Sequence, residues 1–251
     1  MVERPWLSVV VPTCNRLPLL RRCLEACRDS LDPRPEIIVV DGCSSDGTAE
    51  YLAGLDWVRV IREEKRSGAT RAFNLGFRAA RGRYLAWLND DAYPLPGSLA
   101  AALDFAERPE HRKVGLVAMY HTLEVERNWA DRVEHQGRVF GIFHVRGTLY
   151  ANFGLGRRRL FEELGYWDEG YYLWGGDPDF SLKVWERGLE VRGCRRALIV
   201  HDHLEDQRKQ ADLEQGRRDN QRLFEKWRLP PKNPRFNDFD PQRPCTLMGR
   251  R

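Results

Sequence analysis

Residues 66–92, RSGATRAFNLGFRAARGRYLAWLNDDA, decide the fold. From Gly68 onward Ala72, Leu75, Gly76 and Ala79 recur at helical spacing, and Gly82 stands just past them as a helix stop. Residues 83–88 then form a largely apolar run, short enough for a strand and apolar on both faces, as a strand covered on both sides must be. The run ends in Asn89, Asp90 and Asp91, with Pro94 beyond. Adjacent like charges at the end of a buried strand repel one another unless a cation or a set of donors compensates them.

The same alternation extends outward from this stretch. Residues 7–11 are an apolar run stopped by Pro12, and 17–27 follow with helical periodicity. Residues 36–40 form a β-branched run ending at Asp41, 46–55 read as a helix, and 57–61 read as a strand. Strands alternating with helices predict an α/β fold: a mostly parallel sheet flanked by helices on both sides. After a helix over 96–107 the regularity weakens. Strands are expected over 114–120, 138–145 and 197–201, and helices over 157–164 and 179–187. Residues 205–227 read as a charged helix packed on the domain through Leu213, Leu223, Phe224 and Trp227, with a face available for an oligomer contact. Residues 229–251, with five prolines, read as an extended tail.

Bulk properties narrow the function. A chain of 251 residues can bury a core without disulfides or metal, and a net charge of +4 with dispersed cations does not imply a dedicated nucleic-acid binder. The arginines of the C-terminal segment are interleaved with Glu205, Asp206, Asp212, Glu214, Asp219 and Glu225, so its face is mixed. The six cysteines lack the paired spacing of zinc or redox sites, which predicts reduced thiols and a cytoplasmic protein. No apolar run reaches the roughly 18 residues of a membrane span, so any membrane contact is expected to be peripheral.

In open parallel sheets ligands bind beyond the carboxyl ends of the strands. The polar residues there are Thr13 and Asn15 after Pro12, Asp41 after the second strand, and Asn89, Asp90 and Asp91 after the fourth. Asp46, in CSSDGT, reads as a helix cap rather than a catalytic group. The acidic pair suits a hard divalent cation, Mn²⁺ or Mg²⁺, and with it an anionic substrate such as a nucleotide diphosphate. There is no G-x-x-x-x-G-K-[ST], and the first turn reads VPTCNR rather than G-x-G-x-x-G, which argues against a P-loop NTPase and a dinucleotide dehydrogenase.

Five segments in order carry a family resemblance: SVVVPTCNR, IIVVDGCSSDGT, residues 66–92, GGDPDFSLKVWERG and HDH. Over about residues 7–203 the chain resembles the inverting, family 2 type glycosyltransferases of the GT-A fold. The resemblance implies a GT-A domain over 1–203, with a nucleotide-sugar-binding half (1–110), a smaller acceptor-binding half (111–203) and a C-terminal helix and tail (204–251). It implies that Asp41 bonds the donor base, typically a pyrimidine, that Arg71 reaches the base or diphosphate, and that Gly68 lets the backbone approach. Asp90 would contact the ribose and Asp91 the metal, with Asn89 departing from an acidic first position. WGGDPDF matches the family's E-D-x-D segment, with Gly176 in place of the glutamate, Asp177 on the catalytic base and Asp179 on the second aspartate. His201 falls where the family often has a histidine near the metal, His203 competing for that place.

Read without the family, Asp177 and Pro178 could simply begin a helix, where a carboxylate has its anionic form stabilised. Tyr171, Tyr172 and Trp174 could stack against sugar rings or pack the core. The implied reaction moves a sugar from a UDP- or dTDP-linked donor to a saccharide, lipid-linked or other hydroxyl acceptor, with Asp177 as base. Two rivals are a sugar-1-phosphate nucleotidyltransferase, whose glycine-rich, lysine-bearing first loop this chain lacks, and a catalytically silent nucleotide-sugar binder.

Overall fold

The computed structural model describes residues 5–122, 129–202 and 212–230. Strands and helices alternate at first: β1 (Leu7–Thr13), α1 (Leu17–Arg28), β2 (Glu36–Asp41), α2 (Thr48–Ala53), β3 (Val58–Arg62), α3 (Ala69–Ala79) and β4 (Tyr84–Trp87). There follow β5 (Ala92–Pro94), α4 (Ser98–Glu107), β6 (Val114–Thr122), β7 (Trp129–His135), β8 (Arg138–Val145), β9 (Thr148–Tyr150), β10 (Gly154–Arg157), α5 (Arg158–Leu164), α6 (Gly176–Glu186), β11 (Glu190–His201) and α7 (Leu213–Trp227). Among the described residues one sheet runs β3-β2-β1-β4-β10-β6-β11-β5, and β8 branches from β6, pairing with β7 and β9.

The first four strands of that order are mutually parallel, and this is where the expected parallel sheet lies. Beyond β4 the pairing changes hand: β10 is antiparallel to β4 and β6, β11 is parallel to β6, and β5 is antiparallel to β11. The two faces of β1 show why its apolar run is continuous. Val9 and Val11 pack with Leu20 and Leu24 of α1, whereas Val10 packs with Phe73 and Phe77 of α3. Successive side chains of a strand point to opposite faces, so a strand covered on both sides needs apolar residues at every position.

Helix α3 lies close to β1 because Gly76 has no side chain: a Cβ there would fall 2.2 Å from Cγ1 of Val10. Helix propensity alone would make Gly76→Ala stabilising by about 1 kcal/mol. Overpacking against a β-branched side chain in the sheet costs about 3 kcal/mol and wins. We expect a net loss of about 2 kcal/mol, read as a melting point lower by roughly 4–8 °C; a rise would show that α3 can shift outward freely.

Several expectations change in detail. β10, with the sequence GLGR, is a strand that no local signal marks, and β11 begins at Glu190 rather than at residue 197. α6 begins at Gly176, so Asp177 sits inside its first turn and not in a loop before it. Leu223 and Trp227 of α7 are buried with Tyr171 and Leu182, but Leu213 is 44% exposed and does not anchor the helix. His203 and the tail beyond residue 230 lie outside the described residues. No helix among the described residues is long and apolar enough to cross a membrane.

Candidate active site

The carboxyl ends of β1 and β4 bring three buried charged residues together. Thr13 Oγ1 donates to Asp90 Oδ2 at 2.8 Å. Arg16, the residue before α1, places Nη1 3.1 Å from Asp90 Oδ1 and 2.7 Å from Asp91 Oδ2, with only 6% of its side chain exposed. This guanidinium is the internal compensation that the adjacent carboxylates demand. Its sequence signal was weak, since an arginine at a helix start reads as solvated surface.

Asp91 has a second side-chain partner. His201, the last residue of β11, brings Nε2 to 3.1 Å from Asp91 Oδ1, and Asp202 N–H donates to Asp91 O at 2.9 Å. Burial alone would raise the Asp91 carboxyl, but the His201 hydrogen bond and the charges of His201 and Arg16 overcome it and hold Asp91 well below the usual carboxylate range. Asp91 is therefore ionised at neutral pH. Among the described residues no group of three or more His, Cys, Asp or Glu is spaced to hold a metal ion.

The opposite wall comes from the 171–179 segment. Gly175 has φ +95°, a conformation that favours glycine, and turns the chain into α6. At Gly176 a Cβ would lie 2.6 Å from the Trp167 ring, which explains why no larger residue stands there. Asp177 is only partly buried, yet the protein around it desolvates the carboxyl and pushes it up to about 7, against the weaker pull of its own backbone N–H. The α6 dipole acts in the lowering direction and loses to desolvation.

A cleft open to solvent joins these walls. Pro12, Thr13, Gly68, Asn89, Asp90, Asp91, Trp174, Gly176 and Asp177 all line it, together with Arg16, Glu63, Arg66, Asn152, Trp167 and Asp212. Trp167 is 5% exposed and its Nε1 has no hydrogen-bond partner. Gly68 has φ +94°, and a Cβ there would fall 2.5 Å from Tyr172 O, so this wall also requires glycine.

Five expected residues do not line the cleft, and one of them, His201, meets it only through its contact with Asp91. Asn15 is exposed at φ +54°, receiving Ser45 N–H at 2.7 Å and donating its own N–H to Ser44 Oγ at 2.9 Å; it ties two loops together. Asp41 is 1% exposed, and its Oδ1 accepts Ser44 N–H at 3.0 Å while Glu63 takes the place facing the cleft. Arg71 is exposed on α3, whereas Arg66, paired with Asp212, lines the cleft together with Arg16. Asp179 is fully buried and bound by Trp227 Nε1 at 2.7 Å, Lys226 Nζ at 2.6 Å and Tyr171 OH at 3.2 Å. Asp46 caps two helices, accepting Leu17 N–H at 2.9 Å and Thr48 N–H at 3.2 Å.

Known proteins resemble this chain in sequence and in fold. The model of a family described as "Glycosyl transferase family 2" matches residues 8–165. An uncharacterized glycosyltransferase of Bacillus subtilis, YwdF, is 29% identical over 207 residues, 78% of this chain and 73% of the relative. Glycosyltransferase AglE of Haloferax volcanii is 31% identical over 96 residues, 36% of this chain, and the match spans only 32% of that relative's length. Among solved structures, the mannosyltransferase PcManGT from Pyrobaculum calidifontis, in complex with GDP-Man and Mn²⁺, superposes with a TM-score of 0.65 at 21% identity, covering 93% of this chain and 67% of that one. The fold is that of the GT-A glycosyltransferases.

Proposed function

The chain belongs to glycosyl transferase family 2, and from that premise we propose that it transfers a sugar from a nucleotide-diphosphate sugar to an acceptor hydroxyl, with inversion at the anomeric carbon. The observation that carries the proposal is the meeting of two carboxylate sets in one cleft, Asp90 and Asp91 from the end of β4 and Asp177 from the start of α6. The donor lies along the first wall. Asp90, fixed by Thr13 and Arg16, takes the ribose hydroxyls, and Gly68 leaves room for the donor against the backbone. Because Asp41 lies outside the cleft lining, with its Oδ1 holding Ser44 N–H, reading of the base edge falls to Glu63, a carboxylate that accepts N–H donors of the kind uracil and thymine present. This keeps a UDP- or dTDP-linked donor as the preferred reading.

Asp177 accepts the proton of the acceptor hydroxyl. The freed oxygen pair forms the new bond to the anomeric carbon on the face opposite the diphosphate, and the old carbon–oxygen bond breaks with its electrons leaving on the nucleoside diphosphate. One base and direct attack give inversion. Asp91 and His201 fit a divalent cation by donor type: an ionised carboxylate and an imidazole nitrogen at adjacent positions, with Arg16 supplying one positive charge against two carboxylates. A cation held there would offset the charge on the departing diphosphate. The Mn²⁺ complex of PcManGT supports that assignment.

The test is a thermal-shift series with UDP-, dTDP- and GDP-sugars, each with Mn²⁺, with Mg²⁺ and with a chelator. A ligand at a hundred times its Kd stabilises the folded state by about 2.7 kcal/mol, a rise of roughly 5–10 °C here. We expect that rise with a pyrimidine nucleotide sugar and Mn²⁺, and a smaller one with the chelator. The donor assignment fails if no nucleotide sugar moves the melting point.

A further inference from the structure

We propose that Asp219, in the C-terminal helix α7, is a positioning residue that fixes the turn 172–174 and thereby aims Trp174 and Asp177 into the cleft. The proposal rests on the reading of Asp177 as the base. It extends the site beyond residue 165, where the family match ends.

Asp219 is 1% exposed, and its carboxylate collects three successive backbone N–H groups. Tyr172 donates at 3.1 and 3.2 Å to its two oxygens, Leu173 at 2.7 Å and Trp174 at 3.0 Å, while Gln215 Nε2 adds a fourth donor at 3.2 Å. Consecutive N–H groups converging on one anion form a nest, and the anion sets the backbone conformation that builds it. Directly after the nest the chain turns through Gly175 and, two residues on, reaches Asp177.

The rest of α7 makes Asp219 a fixed point. Trp227 and Lys226 bond Asp179, so the helix grips α6 directly. Gly216 lies against the Trp174 ring, where a Cβ would come within 2.4 Å. On its other side the turn meets α3: Tyr172 O accepts Thr70 N–H at 3.4 Å and would lie 2.5 Å from a Cβ on Gly68. The segment carrying the base is thus held between α3 and α7.

Asp219→Asn preserves shape but turns an amide NH₂ toward backbone donors that need an acceptor. In the full chain, amide hydrogen exchange of residues 172–174 should accelerate about tenfold or more, with β1 and β4 unchanged. With UDP-glucose and GDP-mannose as probes, each with Mn²⁺, kcat for donor hydrolysis should fall about 100-fold, the size expected for a displaced catalytic group, with KM within about threefold. Unchanged exchange at 172–174 overturns the proposal, as does a KM rise at constant kcat. Failure of the base assignment shows differently: Asp177→Asn keeps wild-type turnover, or neither probe is hydrolysed, and exchange still decides the role of Asp219. If Asp219→Asn does not fold, Gly216→Ala pushes on Trp174 with the carboxylate intact. It should speed exchange over 172–177 alone, and no local change there also overturns the proposal.

Discussion

Asp177→Asn is expected to lower kcat by about 10²–10⁴, the range spanned by loss of a positioned general base, while a nucleotide sugar still raises the melting point as it does for the wild type. Asparagine matches aspartate in size, so the cleft keeps its shape and only the proton acceptor is lost. The wild-type rate should also carry the signature of this one group. A base with its carboxyl pushed up to about 7 is half protonated there, so kcat should fall about tenfold per pH unit below 7 and level off above it.

The stability change has the opposite sign. Burial favours the neutral carboxylic acid, so between its ordinary value and about 7 the folded chain holds a proton that the unfolded chain has released, and stability falls as pH rises through that window. Asparagine does not ionise and escapes this loss. At pH 8 the variant should be more stable by at least about 1 kcal/mol, the worth of a single pKa unit, and melt a few degrees higher. A variant that keeps wild-type turnover would remove Asp177 from the mechanism. A variant that is inactive but less stable would mean that the carboxylate mainly holds the structure.

Legibility followed the range of the interactions. From β1 to β4 the elements carry their own signatures, because β1, β2 and β4 are covered on both faces and α3 carries a buried stripe of Ala72, Phe73, Gly76 and Phe77. β10 has none. Gly154 and Gly156 are poor strand formers, and they stand there because the rings and methyls of Trp87 and Leu116 fill the space a Cβ would take, at 2.4 and 2.7 Å. Those contacts come from partners far away in the chain. β11 was hidden differently: Arg192, Arg195 and Arg196 interrupt its apolar pattern at exposed positions.

The site divides along the same line. The strand-end residues Thr13, Asn89, Asp90 and Asp91 announce themselves, since a polar cluster after an apolar run needs a reason. Asp219 does not, because one aspartate in a helix rich in charge looks solvated until the turn at 172–174 folds onto it. Arg71 and Arg66 could not be ranked by sequence, because only the helix phase decides that Arg66, before α3, borders the cleft and Arg71, on it, faces water.

Arg16→Met should be the most destabilising single change at the site. Methionine keeps much of the volume and removes the charge, leaving Asp90 and Asp91, 4% and 3% exposed, to repel one another without their guanidinium. Breaking a buried ion pair by removing one partner costs about 3–5 kcal/mol, far above the 0–1 of a surface pair, and corresponds to a melting point lower by roughly 6–20 °C. The pH dependence follows from Asp91. Its carboxyl is held low in the folded chain, so the stability it contributes is present above its ordinary value and lost as pH falls toward the folded one. The gap between wild type and variant should therefore be widest near neutrality and close in acid, where protonated carboxylates no longer need the arginine. Mn²⁺ should recover more stability in the variant than it adds to the wild type, because a cation beside Asp91 replaces the missing charge. Melting curves at about pH 2.5 and pH 7, with and without Mn²⁺, measure all three effects. A fall of less than about 2 °C at pH 7 would show that Arg16 is dispensable and that hydrogen-bond donors alone hold the two aspartates together.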